Sequence, residues 1–227
     1  MKTLLLWDID GTLITAHGAG EAALRESLHT SFGLSSDLSH IEMAGQTDRS
    51  IFRQILRAFA LPETPSNITL LEKHYLGALP AQIAQRGVSP FPGIEKIVTE
   101  ASRRDDIVQG LLTGNLRHGA QLKLNPTGYW SFLPFGAFGD DSEKRDQLGP
   151  FALRRAKEHH GIDFSPERVW VIGDTPYDVA CGKAVGVKTF ALATGRHSLA
   201  CLREAGADAV ARDLSDVPAF WRIVLAL

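Results

Sequence analysis

The sequence predicts an α/β fold in which a parallel sheet, covered by helices on both faces, carries a helical insertion after its first strand. Three observations lead there. The apolar run Leu4-Leu5-Leu6-Trp7 opens the chain and ends in Asp8, Asp10 and Gly11. It is too short for a buried helix of ordinary length and reads as a buried parallel strand that delivers polar groups to its C-terminal end. From about Pro90 onward, strand-like and helix-like stretches alternate. Between about Thr15 and Ser89 the periodicity is helical and no strand pattern stands out.

After the first strand, Gly18 and Gly20 introduce Leu24, Leu28 and Phe32 at helical spacing, closed by Gly33. Ile51, Ile55, Leu56 and Phe59 share one face of a helix that Thr47 or Asp48 can cap. Leu71, Tyr75, Leu79 and Ile83 mark another helix beginning near Ser66. Pro80 lies inside it, and because proline clashes with the preceding turn and lacks a donor, a kink or break is expected between Gly77 and Pro80. Beyond Pro90-Phe91-Pro92-Gly93, a short amphipathic helix (Ile94, Ile97, Val98, Ala101) leads to a second buried strand, Ile107 to Leu112, which ends in Thr113-Gly114-Asn115. A helix over about 116–124, a weak strand over 135–138 and a helix over 150–160 follow. Val169-Trp170-Val171-Ile172 is then a strong strand ending in Gly173-Asp174-Thr175, with Pro176 suited to the start of the next helix and Gly186 to its end. Short strands over 188–193 and 209–211 and helices over 198–205 and 217–225 complete the chain. Residues 1–14 and 89–227 are thus expected to form the α/β core and residues 15–88 a helical cap domain above the strand ends, where active-site lids are built.

A chain of 227 residues is long enough to bury a sizeable core. Its 24 Lys and Arg against 26 Asp and Glu give no electrostatic ground for a nucleic-acid or membrane partner, which leaves a small molecule as the expected one. Cys181 and Cys201 are too few for a disulfide framework and have no metal-ligand spacing, so they read as free thiols in a reducing compartment. Asp8 and Asp10 interrupt the N-terminal apolar stretch before a signal-peptide core or membrane span is complete, and a cytoplasmic location is expected by default.

Three buried strands therefore end in polar clusters: Asp8 and Asp10, then Thr113 to Asn115, then Gly173, Asp174 and Asp178. Side chains two apart on a strand point to one side, so Asp8 and Asp10 face a common site where the extended backbone persists. Acids so close repel unless a cation or a shared proton intervenes. With these clusters in this order around a helical insertion, the chain resembles the haloacid dehalogenase superfamily of phosphohydrolases. The resemblance rests on DIDGT at 8–12, the apolar run into TGN at 113–115 and GDTPYD at 173–178. The position of the insertion is that of the capped subfamily that includes phosphoglycolate phosphatases, β-phosphoglucomutases and pyrophosphatases.

The resemblance implies a Rossmann-like parallel-sheet core and a Mg²⁺-dependent reaction on a small phosphorylated metabolite. A phosphate monoester is shielded by its own charge, so a carboxylate attacks it only when a cation offsets that charge. Asp8, Asp174 and a phosphate oxygen offer hard oxygen ligands, which suit Mg²⁺ better than zinc. By resemblance, Asp8 is the nucleophile and forms a phosphoaspartate. Asp10 binds the metal through its backbone carbonyl, while its side chain protonates the leaving group and then activates water. Asp178 binds the metal through water or orients its neighbours. Thr113, with the backbone N–H groups of Gly114 and Asn115, holds the transferring phosphoryl group.

The third family motif normally supplies a lysine followed by proline, and no such pair occurs in the right region. Counting back from Pro150 and Phe151 puts Arg145 nearest the expected position, with Lys144 beside it and Lys123 a more distant candidate. In the cap, Gly45-Gln46-Thr47-Asp48-Arg49 resembles the stretch that relatives place near the substrate, and Arg49 is the candidate for a distal anionic group. Trp7 stands where relatives usually carry phenylalanine and reads as packing. The function expected is phosphate monoester hydrolysis, with a phosphoglycolate phosphatase-like activity as the nearest named case. A β-phosphoglucomutase-like phosphomutase and a non-catalytic phosphate-binding regulator are the alternatives. A monomer and a homodimer are equally compatible with the sequence.

Overall fold

The first strand is buried on both faces, and the sheet is built outward from it. The computed structural model describes residues 2–226. In chain order, β1 (Thr3–Trp7) and a short β2 (Ile14–Thr15) precede three helices, α1 (Ala19–Phe32), α2 (Asp48–Ala58) and α3 (Pro65–Arg86), and then β3 (Ser89–Pro90). There follow α4 (Ile94–Ser102), β4 (Ile107–Leu112), α5 (Arg117–Leu124), β5 (Gly136–Ala137), α6 (Gly149–His160), β6 (Val169–Gly173), α7 (Pro176–Ala184), β7 (Lys188–Leu192), α8 (Leu199–Glu204), β8 (Ala209–Ala211) and α9 (Val217–Leu225). Six strands pair in the order β5-β4-β1-β6-β7-β8, parallel at every step. The predicted α/β class with a parallel sheet between helical layers is the observed one.

The strand period of two decides how the sheet is covered. Leu5 and Trp7 point into one apolar layer with Ile97, Val98 and Phe220, and the Trp7 and Phe220 rings stack at 5.9 Å. Leu4 and Leu6 point into the other, with Val171, Ala152 and Leu148. Each fully buried side chain of this kind contributes roughly 1.5–3 kcal/mol relative to exposure. The helices α1, α2 and α3 gather around an apolar cluster of their own, centred on Leu28, Phe52, Leu71 and Tyr75. No helix among the described residues is long and apolar enough to cross a membrane.

Local expectations are corrected in several places. Helix α3 runs without a break through Pro80. The ring lies on an exposed face, while Ala78, Leu79 and Ile83 remain buried and hold the helix on both sides of it. Strand β3, which the periodicity hides because it is two residues long, pairs antiparallel with β2 and ties together the points where the chain leaves and rejoins the sheet. The extended backbone of β1 stops at Trp7, short of Asp10. The N–H groups of Thr12, Leu13 and Ile14 all return to the Ile9 carbonyl, and Gly11 turns at φ 83°. Thr47 caps α2 and Thr175 caps α7, so neither Asp48 nor Asp174 is spent on capping.

Candidate active site

The register sets Trp7 beside Leu111 of β4 and Ile172 of β6. The residues that follow each strand therefore emerge on one edge, at the C-terminal ends where open parallel sheets bind ligands. Two clusters of charge form there.

The first holds Asp8, Asp174, Asp178 and Arg145. The Asp8 side chain is almost wholly buried, and one Arg145 nitrogen lies 2.9 Å from its Oδ1. The same guanidinium donates to Asp178. Helix α7 fixes Asp178 through a capping box: its Oδ2 accepts from the Thr175 backbone N–H at 3.0 Å and from the Thr175 hydroxyl at 2.7 Å. Asp174 accepts from the Thr12 hydroxyl at 3.2 Å. A Cβ on Gly11 would meet an Asp174 carboxylate oxygen at 2.4 Å and one on Gly195 at 1.7 Å, so both walls of this cradle require glycine. The Thr194 hydroxyl fastens the cradle by donating to the Gly11 carbonyl.

Three acids face one guanidinium, and burial penalises their charge. Burial, with Asp178 and Asp10 adding repulsion, pushes Asp8 up to about 6 even though Arg145 opposes the shift. Burial and the charges of Asp178 and Asp8 push Asp174 up to about 8. Burial disfavours the Arg145 charge, but Asp178 and Asp8 outweigh it and hold the group above its ordinary value. One oxygen each from Asp8, Asp174 and Asp178 lie within 4.8 Å of one another. This hard, buried and mutually repelling oxygen set fits a divalent cation of the Mg²⁺ type and has no nitrogen or sulfur to favour zinc.

The second cluster centres on Asp10, whose carboxylate is half-exposed. Its Oδ2 accepts from the Lys123 ammonium at 2.6 Å and from the Asn115 amide at 2.9 Å. Lys123 also donates to Asn115 Oδ1 at 2.6 Å, and the Asn115 amide donates to the Thr113 hydroxyl oxygen at 2.9 Å. Lys123 sits on α5 with only 5% of its surface exposed. Burial opposes its charge, but Asp10, Tyr75 and Asp48 overcome that and hold it above its ordinary value. Asp48, itself pushed up to about 6 by burial, accepts from the Leu116 N–H at 2.7 Å.

The helices after β1 close directly over this cluster. The Asp48 N–H donates to the Gly114 carbonyl at 2.8 Å, and the Thr47 hydroxyl donates to the Glu143 carbonyl at 2.7 Å. A Cβ on Gly114 would lie 2.1 Å from the Gln46 carbonyl oxygen, which excludes any larger residue there. Between these helices and the strand ends lies a cavity of about 360 Å³ whose walls include Asp8, Asp10, Asn115, Lys123, Arg145 and Asp174.

The structure thus brings together Asp8, Asp10, Asn115, Arg145, Asp174 and Asp178, while Thr113 is fully buried beside Asn115 and Gly114 is covered by residues 46–48. Two sequence candidates lie elsewhere. Lys144 is exposed, because the turn Arg145–Gln147 points only its neighbour inward. Arg49 faces away from the cavity, 3.3 Å from Glu72 and 3.3 Å from the Asp140 carbonyl. Lys123, only a distant candidate for the missing cation, serves Asp10 rather than Asp8. Tyr75 has only a packing role in the sequence pattern, whereas Asp48 belongs to the 45–49 stretch expected near the substrate and lines the cavity in place of Arg49. The signal for Lys123 was a charged residue within the otherwise apolar stripe Ala120, Lys123, Leu124 of a short helix.

Residues 5–192 match the family model described as haloacid dehalogenase-like hydrolase. Among curated proteins, the probable phosphatase IndB of Dickeya dadantii (strain 3937) is 23% identical over 219 residues, spanning 96% of this chain and 92% of IndB. A hydrolase from Pseudomonas syringae has a similar fold, with TM-score 0.76 and 19% identity over 98% of this chain and 99% of that one. CbbY from Rhodobacter sphaeroides in complex with phosphate matches with TM-score 0.76 and 20% identity over 96% of each chain. A mutant of CbbY was solved with xylulose-(1,5)bisphosphate.

Proposed function

The chain belongs to the haloacid dehalogenase-like hydrolases, and from that membership we propose that it is a Mg²⁺-dependent phosphatase that hydrolyses a small phosphate monoester through a phosphoaspartate on Asp8. The observation that carries this reading is the convergence of Asp8, Asp174 and Asp178 on one point at the strand ends, with Arg145 against Asp8. The name of IndB, a probable phosphatase, and the phosphate bound to CbbY support it.

Asp8, the Asp10 backbone carbonyl and Asp174 would hold a Mg²⁺ ion, which when bound would supply positive charge to offset the phosphate and the clustered acids. Asp178 supports that charge balance from behind, through its bond to Arg145. The Asp8 carboxylate attacks phosphorus, and the bond from phosphorus to the ester oxygen breaks. Asp10 gives its proton to the departing oxygen, leaving a free alcohol. Water then attacks the phosphoaspartate, Asp10 takes the proton back, and inorganic phosphate leaves with Asp8 restored. Asn115 and Lys123 keep one oxygen of Asp10 occupied, so the other is the one available for proton transfer. Asn115 faces the phosphoryl site and Thr113 supports it from beneath by accepting from its amide, while residues 15–88 act as the cap that excludes water during the first step.

The presence of Asp8, Asp10, Thr113 and Asp174 together argues against a non-catalytic phosphate binder. The test is phosphate release from a panel of small phosphomonoesters, with Mg²⁺ and with chelator, for the natural protein and an Asp8→Asn variant. Release that needs the metal and vanishes in the variant is expected; release that persists in Asp8→Asn would sink the mechanism.

A further inference from the structure

Resting on the phosphatase reading of this site, we propose that the substrate's alcohol portion is compact, uncharged and largely hydrocarbon, so that esters carrying a second anionic group are poorly accepted. The side of the cavity contributed by residues 15–88 carries Ala19, Leu24, Met43, Ile51 and the buried ring of Tyr75, with Thr15 and Gln46 among them. Two carboxylates lie on that side, the buried Asp48 and also Glu21, which Arg25 pairs at 2.6 Å.

Three cations line the cavity among the described residues, and the two buried ones are already engaged. Arg145 is held by Asp8 and Asp178. Lys123 is held by Asp10 and Asn115. Arg196, on the loop after β7, is exposed at the rim beside Gly195. Arg49, which comes from the segment nearest the site, turns outward to Glu72 and the Asp140 carbonyl.

A second anionic group on the alcohol portion would lose its water beside apolar side chains and a buried carboxylate, with no uncommitted cation closer than Arg196 at the exposed rim. It would otherwise have to draw Lys123 away from Asp10 and disturb the proton-transfer group. A hydrocarbon group meets neither obstacle and gains from burial. The same argument weighs against a phosphomutase, whose passage through a sugar bisphosphate requires a seat for two phosphates.

Isobutyl phosphate and 2-phosphoglycolate make a decisive pair, because their alcohol portions have the same size and branching and differ in charge. For the natural protein with Mg²⁺, kcat/KM for isobutyl phosphate is expected to exceed that for 2-phosphoglycolate by about tenfold or more, equivalent to one power of ten in transition-state binding. Equal or better use of 2-phosphoglycolate overturns the proposal while leaving the phosphatase reading intact. Should neither ester turn over, the phosphomonoester panel decides the phosphatase reading, and calorimetric binding of the two esters to Mg²⁺-loaded protein decides the proposal. Tighter binding of isobutyl phosphate supports the proposal; equal, reversed or undetectable binding overturns it. A Glu21→Lys variant should narrow the gap between the two esters, and an unchanged gap would contradict the placement of the alcohol portion against this wall.

Discussion

At the scale of single residues, the pairing of Lys123 with Asp10 has the clearest consequence. A buried ammonium 2.6 Å from one carboxylate oxygen fixes the orientation of Asp10, the group proposed to handle the proton. Lys123→Met is expected to lower kcat on alkyl phosphates by roughly ten- to a hundredfold with little change in KM, toward the range typical of lost acid–base catalysis. The loss should be smaller for an aryl ester whose leaving group needs no proton, because only its dephosphorylation step still calls on Asp10. A steady-state comparison of the two ester classes checks this, and equal losses on both would assign Lys123 a purely structural part. Asp8, Asp10, Asp174 and Asp178 were legible in the sequence because each follows an apolar strand at a fixed offset. The pairing of Lys123 with Asp10 was not, since the two are 113 positions apart and only the packing of α5 brings them together. Arg49 shows the opposite failure: its place in the chain is beside the site, but a nearby acid, Glu72, turns it outward.

At the scale of elements, strands with a continuous apolar run were readable almost to the residue, as β4 and β6 illustrate. Two-residue strands such as β2 and β3 have no period to read, and their pairing depends on contacts made after the helices between them have packed. Pro80 is a case in which packing overrides a local rule. The helix α3 continues because its buried face is held against α1, so the missing hydrogen bond is tolerated rather than relieved by a break. Pro80→Ala should therefore stabilise the protein by about 1–3 kcal/mol, the restored helix bond exceeding the entropy returned to the unfolded chain. Urea unfolding would measure it; a loss of stability would mean that the ring fills a need of the fold itself.

At the scale of the whole molecule, the parallel sheet carries three strand ends to one edge, and the helices of residues 15–88 cover them. The charge collected there links stability to pH and metal. Asp8 at about 6 and Asp174 at about 8 are both raised above an unfolded carboxylate. In the metal-free protein the folded state therefore keeps these protons longer than the unfolded chain, and stability from these groups declines as pH rises from roughly 4 to 8. Metal ions bind the ionised carboxylates, so the gain from Mg²⁺ should grow over the same window. Melting with Mg²⁺ and with chelator at about pH 5.5 and about pH 8 should show the larger difference at the higher pH. A difference that is absent or shrinks at the higher pH would show that these acids do not hold the ion. The α/β class was legible from alternation alone, whereas the closeness of residues 46–48 to Gly114 was not, because it joins a loop within residues 15–88 to the end of β4 in the core.

The central claim is that Asp8 carries the phosphoryl group. The most direct measurement is to mix the protein with Mg²⁺ and a turned-over phosphomonoester bearing labelled phosphate, quench in acid during turnover, and map the label by peptide mass spectrometry. Label on the peptide containing Asp8, acid-stable and released by base or hydroxylamine, is the expected result. Full turnover without label on that peptide, or label on another residue, would contradict it.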